Sequence, residues 1–221
     1  MRVIRVLLAL LSPGATPLLA QGLALPFDGR WFVAHGGDTL NVNHHMQSEL
    51  ESQWYAVDFA KVGGPTDRGL TRGAQQRVED FYGWSAEVLA PVAGVVVAVE
   101  NDLPDNTPGV HDTAHPLGNH VVLQSGQRFY YLAHFRRGSV RVRVGDCVAR
   151  GQVLAQCGNS GNSDFPHVHL HATQSPQFGE GRGENMTFAG ITVELSGKPF
   201  IDVEWPMIRG LFVANRCSPR R

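Results

Sequence analysis

His167, His169 and His171 fall on every second residue of one short segment, Pro166-His-Val-His-Leu-His-Ala172. Side chains alternate faces along a strand, so the three imidazoles share one face while Val168, Leu170 and Ala172 take the other. Imidazole is a common metal ligand and an acid–base group that works near neutral pH. A polar wall backed by an apolar face fits a metal or catalytic site. The plainer alternative is a half-solvated strand that happens to be rich in histidine.

Other residues strengthen the chemical reading. In Ala56-Val-Asp-Phe-Ala60, strand alternation puts Asp58 with Ala56 and Ala60, and Tyr55, Val57 and Phe59 on the opposite face. A carboxylate in such apolar text is costly to bury unless it is paired or binds a metal. The strand itself holds no lysine or arginine to pair with it before Lys61. Asn43-His44-His45 sits in a polar loop, and His134 ends the aromatic-rich segment Tyr130 to Phe135. Two loop histidines in water and a core strand with a terminal histidine are the ordinary readings of these. Taken together, a His, Asp, His set with a fourth position left for water is the pattern of a catalytic zinc site. Such a site lowers the pKa of its bound water towards about 7 and polarises a carbonyl.

The elements that must position these groups read as strands and turns. Residues 29–34, 53–60, 88–100, 120–124 and 128–134 carry β-branched and aromatic runs between glycine, proline and asparagine clusters. Ser125-Gly-Gln127 predicts a hairpin turn. Residues 140–144, 147–148 and 152–156 are expected to continue the sheet, and a short helix is expected near 74–82. The last fifty or so residues look less regular, with short strands at 191–195 and 212–214. The expectation is a mainly β fold: one antiparallel β-sheet domain with a groove and long loops, spanning 21–221 with its core at about 30–175.

Composition bounds the partners. The 221 residues are 43% hydrophobic and 18% charged, with a net charge of −1, which argues against nucleic acid. Arg2 and Arg5 precede an apolar run at Val6–Leu11, and Leu18-Leu-Ala20 precedes Gln21. Residues 1–20 therefore read as a signal peptide, and the mature chain as exported, periplasmic or secreted, with no membrane span. A monomer is expected. Cys147, Cys157 and Cys217 form no C-x-x-C pair, so a thiolate zinc site is disfavoured and one disulfide is allowed.

The chain resembles the lysostaphin-type (LytM-type) zinc endopeptidases that cut peptidoglycan peptides. Four passages carry the resemblance: Tyr55-Ala-Val-Asp58-Phe, Tyr131-Leu-Ala-His134-Phe, the hairpin from Gly145 to Ala155, and Gly158-Asn-Ser-Gly-Asn-Ser with His167-Val-His169. It implies a β-sheet groove of the duplicated-hybrid-motif type with one zinc at its floor. Asp58 and His169 are then zinc ligands, and His134 and His167 are catalytic histidines that do not bind the metal. The family's common first motif has a histidine four residues before the aspartate, where this chain has Trp54. Asn43-His44-His45 fits a variant with an upstream Asn-x-His, which makes His45 the third ligand and His44 the fallback. The implied activity is hydrolysis of peptidoglycan cross-link or stem peptides. A catalytically silent cell-wall-binding module of the same fold is the rival, and an extracellular metal buffer a third reading.

Overall fold

The computed structural model describes residues 22–215. The expected signal peptide, Cys217 and the terminal arginines lie outside the described residues. Twelve strands follow one another along the chain: β1 (Arg30–His35), β2 (Val57–Lys61), β3 (Glu87–Leu89), β4 (Gly94–Glu100), β5 (Asn119–Ser125), β6 (Arg128–Phe135), β7 (Cys147–Val148), β8 (Val153–Gln156), β9 (Val168–Thr173), β10 (Thr187–Leu195), β11 (Lys198–Pro206) and β12 (Phe212–Asn215). Among the described residues the only helical pieces are 3-10 turns, at His44–Gln47, Glu51–Gln53 and Val78–Asp80. The fold is mainly β, as the residue pattern predicts.

Ten strands form one sheet in the order β11-β10-β12-β1-β2-β9-β6-β5-β4-β7, while β3 and β8 form a separate pair. All the strand pairings are antiparallel. One face of the central strands supplies the main core. Phe59 of β2, Leu132 of β6, and Val168 and Leu170 of β9 are sealed there with Trp31 and Phe27. Phe27 stacks on Trp31 at 4.3 Å and meets Phe59 edge-on at 5.0 Å. Fully burying each such side chain contributes about 1.5–3 kcal/mol. Because residues on a strand alternate, sealing Val57 and Phe59 into this core leaves Asp58 on the opposite face, and sealing Val168 and Leu170 does the same for His169.

The structure departs from the expectation in three places. The helix expected near 74–82 is only the 3-10 turn Val78–Asp80; the Asp80 carboxylate takes the Gln76 and Arg77 backbone N–H groups and its carbonyl takes that of Arg72. Residues 140–144 are not a strand, and Val153–Gln156 leaves the main sheet to pair with β3, with Val88 opposite Ala155. The chain after residue 186 is regular: three strands extend the sheet from β1. The hairpin within it closes at Ser196-Gly197, both at positive φ (51° and 79°) as a two-residue primed turn requires. Outer strand β11 exposes most of its residues, and Pro199, Pro206 and Lys198 are the residue types that blunt a sheet edge.

Candidate metal centre

Strand register builds the centre. Asp58 lies directly opposite His169 in the β2–β9 pair, and Ala133 lies opposite His169 in the β6–β9 pair. Directly opposed residues project from the same face with their Cβ atoms about 4.5–5.5 Å apart. The result is His169 Nδ1 2.9 Å from Asp58 Oδ1. On the other side of the carboxylate, His45 Nε2 is 2.8 Å from Asp58 Oδ2. His45 reaches it from the 3-10 turn, whose start is fixed by the Asn43 side chain accepting from the His45 backbone N–H. Asn43 is itself buried, and its amide donates to the Gly37 and Ala56 carbonyls.

His134 arrives by a different device. It has φ of 65°, a left-handed conformation unusual for a residue with a side chain. The β5–β6 register slips between Asn119 and Val121, so Ala133 and His134 together face His120. This is a β-bulge, a feature that re-aims a side chain beside a site. Without it His134 would follow Tyr130 and Leu132 into the core. With it, Phe135 takes the core place and His134 joins the face of His169, at a ring separation of 5.6 Å. His167, just before β9, sits 4.7 Å from the His134 ring.

Hydrogen bonds orient both of these rings. His134 Nδ1 donates to the Ser160 carbonyl at 2.9 Å, and His167 Nδ1 donates to the Phe165 carbonyl at 2.8 Å. A neutral imidazole carries one N–H, so each ring is left with a lone pair on Nε2. The Nε2 of His167 lies 3.6 Å from Asp58 Oδ1. The Gly158–Ser163 turn supplies the anchor. Its Ser163 hydroxyl lies 3.2 Å from His167 Nδ1 and donates to Asn159 Oδ1, and the Ser160 hydroxyl donates to the Phe135 carbonyl.

His171 extends the array inwards. Its Nδ1 is 2.9 Å from His169 Nε2, its ring stacks on Tyr131 at 4.4 Å, and its Nε2 is buried with no hydrogen-bond partner. The Tyr131 hydroxyl donates to the Ser175 carbonyl, which pins the stack.

The electrostatics follow from burial and crowding. Burial alone would raise the Asp58 pKa, but His45, His167 and His169 around it hold the carboxyl well below the usual range. Burial pushes His134 well below the ordinary histidine value, and the neighbouring His167 and His169 add to this. Burial also lowers His169, and lowers His171 further. His167 goes the other way: burial opposes its charge, but the Asp58 carboxylate, the Phe165 carbonyl and Asp164 together raise its pKa.

His45, Asp58 and His169 are all buried, and one ligand atom from each lies within 4.8 Å of the others. Two neutral imidazoles and a carboxylate are the donor set of a borderline divalent ion, zinc above all. The residues therefore fit the metal. The cavity in front of them measures about 390 Å³ and is also lined by Leu117, Pro116, Phe165 and Asp164. That is in the range of a small-ligand cleft.

The structure brings together all five residues singled out from the sequence: His45, Asp58, His134, His167 and His169. Of the adjacent loop pair, His45 is buried against Asp58 and His44 is exposed, edge-on to His35 and tilted against His45. Three participants were not legible. The Ser160 and Phe165 carbonyls that fix the two rings are backbone atoms with no residue-type signal. His35 is a single histidine at the end of a strand. Cys157 is buried with its thiol pKa pushed up by burial, and Cys147 is exposed; both are free thiols.

Comparison with known proteins bears on this geometry. Residues 80–180 match the model of peptidase family M23, a stretch that contains His134, His167 and His169 but not His45 or Asp58. The chain is 31% identical over 99 residues to endolysin 2638A of Staphylococcus phage 2638A, an alignment covering 42% of this chain and 20% of that protein. The chain thus spans about a fifth of the length of that curated relative. Among solved structures, the catalytic domain of the prophage-encoded M23 protein EnpA from Enterococcus faecalis is 18% identical with a TM-score of 0.45, covering 74% of this chain and 94% of that one. The catalytic domain of the antimicrobial peptidase lysostaphin from Staphylococcus simulans is 21% identical with a TM-score of 0.38, covering 66% and 82%.

Proposed function

We propose that this chain, residues 80–180 of which match the peptidase family M23 model, is a lysostaphin-type zinc metalloendopeptidase hydrolysing amide bonds in peptidoglycan peptides. One observation carries this reading: a buried His45, Asp58, His169 donor set stands beside two further histidines whose Nδ1 atoms are both tied to backbone carbonyls. The match to a phage endolysin supports a cell-wall substrate.

In this reading His45 Nε2, an Asp58 oxygen and His169 Nδ1 hold the zinc, and residues 21–221 form one metallopeptidase domain. Zinc, when bound, supplies a Lewis acid that acidifies water and polarises an amide carbonyl. His167, with its Nδ1–H fixed on Phe165, presents a lone pair at Nε2 that takes a proton from the attacking water. His134, with its Nδ1–H fixed on Ser160, works on the same water. Its free Nε2 lone pair accepts a hydrogen bond from the attacking water and orients it, and the proton then held on His167 Nε2 passes to the leaving amine. Neither ring needs to turn during the reaction, because each is already held by its carbonyl. The walls of the cleft, Leu117 and Phe165 among them, place an extended peptide across the histidines and exclude bulk water. A β-sheet floor with substrate-selecting loops around it divides rigid chemistry from variable specificity.

Export completes the reading: residues 1–20 act as a signal peptide, and the mature chain works in the periplasm or outside the cell. Among the described residues no helix is long and apolar enough to cross a membrane.

The test is mass analysis of purified sacculi incubated with purified protein, alongside metal content. Cleavage creates new amino and carboxyl termini in the peptides, with about one tightly held zinc per chain. Zinc without any new termini would leave the silent module or the metal buffer as the better account.

A further inference from the structure

The face that carries Asp58 holds a second group of donors that the catalytic reading leaves unused. One ring nitrogen each of His35 and His44, with a carboxylate oxygen of Asp58, lie within 4.8 Å of one another. We infer that His35, His44 and Asp58 form a second, weaker site for a divalent transition-metal ion at the mouth of the cleft, sharing Asp58 with the inner centre.

A break in strand pairing creates this group. In the β1–β2 ladder Val33 lies opposite Phe59, but the next pair is His35 opposite Asp58, and Ala34 is skipped. In unbroken alternation His35 would follow Trp31 and Val33 into the core, and Ala34 would lie opposite the carboxylate. The bulge exchanges the two, giving the carboxylate a histidine as its neighbour across the ladder. His44 is the exposed member of the loop pair whose other member, His45, points inwards. Its ring packs edge-on against His35 at 4.0 Å and tilts against His45 at 3.9 Å. Both rings line the same cavity as the inner ligands.

A further observation shows that the group is chemically unfinished. His35 Nδ1 is cut off from solvent and has no hydrogen-bond partner. A buried polar atom left unpaired costs free energy, and a ligand in the cleft is one way to relieve it. Two imidazoles and one carboxylate favour zinc, cobalt, nickel or copper over calcium or magnesium, which prefer all-oxygen sites. A carboxylate has two oxygens and can give one to each of two ions, as in two-metal hydrolase sites. With His44 exposed, the outer ion meets solvent on one side. Its affinity is therefore lower than that of an ion held by three buried groups.

The experiment uses the full chain stripped of metal and dialysed against rising free Zn2+, with bound zinc counted per chain. Wild type is expected to take up two ions in separate steps. His44→Ala and His35→Ala should each abolish or weaken the second step by at least about tenfold while the first step remains. Because His44 is exposed, its variant keeps the packed core intact, which guards against a fold defect in the His35 variant. A single ion in wild type at saturating zinc overturns the proposal, as does a second step unchanged in both variants. Loss of the first step in His44→Ala overturns it too, by making His44 an inner ligand. Absence of any tight zinc in wild type would instead overturn the catalytic reading, so the two failures are distinct.

Discussion

Asp58 Oδ1 and His169 Nδ1 stand 2.9 Å apart across the β2–β9 pair, although 111 residues separate them in the chain. Direct opposition in an antiparallel ladder sets that distance, and a one-residue slip would turn one of them into the core. The zinc reading rests on this register, so its first consequence concerns the ligands.

His45→Ala removes one of three ligands. We expect tight zinc binding to be lost from the inner site and cleavage with it, and the metal-free protein to lose some stability because buried Asp58 loses its 2.8 Å partner. Zinc content after dialysis at low free metal checks this. Retained zinc would hand the position to His44.

His134→Ala separates chemistry from metal binding. Its ring is tied to the Ser160 carbonyl and approaches His169 only ring to ring. Peptide cleavage should fall by about a hundredfold to ten-thousandfold, the usual worth of a positioned acid–base group. Zinc content should stay at the wild-type value, and its loss would contradict the role assigned to this residue.

His171→Phe keeps the stack on Tyr131 but removes the partner of His169 Nε2. The hydrogen bond on a ligand's far nitrogen fixes its tautomer and orientation. Zinc affinity is expected to drop by about 10–100-fold, read by chelator competition. Unchanged affinity would show that packing alone orients His169.

The histidine cluster makes the metal-free protein sensitive to mild acid. Burial depresses His134 and His171, so both stay neutral when folded and bind protons once unfolded. A depressed pKa gives stability that is present above the unfolded value near 6.5 and is lost as pH falls. His167 is raised, so its contribution runs the other way, being complete below 6.5 and lost as pH rises through its folded value. Below 6.5 His167 is protonated in both states and offsets nothing, so the depressed His134, His169 and His171 together lower stability as pH falls from pH 7 towards pH 5, each by at most about 1.4 kcal/mol per pH unit. Asp58, held low, adds a further loss only below its ordinary carboxylate range. Urea unfolding in chelator at the two pH values tests this, and equal midpoints would contradict it.

Gly118 and Gly161 test the loop that anchors His134. Both have positive φ (58° and 79°), and a methyl on Gly161 would press on the Gly118 backbone and the His115 carbonyl. Gly161→Ala should therefore destabilise by more than about 1 kcal/mol, visible in thermal unfolding, and should lower cleavage with zinc retained.

The site was legible where it follows alternation and obscure where alternation breaks. Period-two spacing alone placed His167, His169 and His171 opposite Val168 and Leu170, and Asp58 opposite Val57 and Phe59. The bulges at Ala34 and His134 carry no residue signature, so strict counting would have sent His35 and His134 into the core. His134 was reached through its resemblance to a Tyr-x-x-His motif. His35 has no such help, being a single histidine at the end of a strand. The long C-terminal hairpin went unseen because β11 is exposed on most of its length and lacks the apolar rhythm of a buried strand. Its Ser196-Gly197 turn was the available cue.

Those late strands have one more effect. β12 pairs with β1 along Arg30–Phe32, and β2 takes its other side. A chain cut off before residue 187 would leave β1 as a bare rim, its amides and carbonyls open to any extended peptide. The His35 bulge and the Trp31 packing both belong to that strand. Proteolytic trimming of the tail would thus loosen the cleft from behind and invite self-association, without removing a single metal-binding or proton-moving side chain.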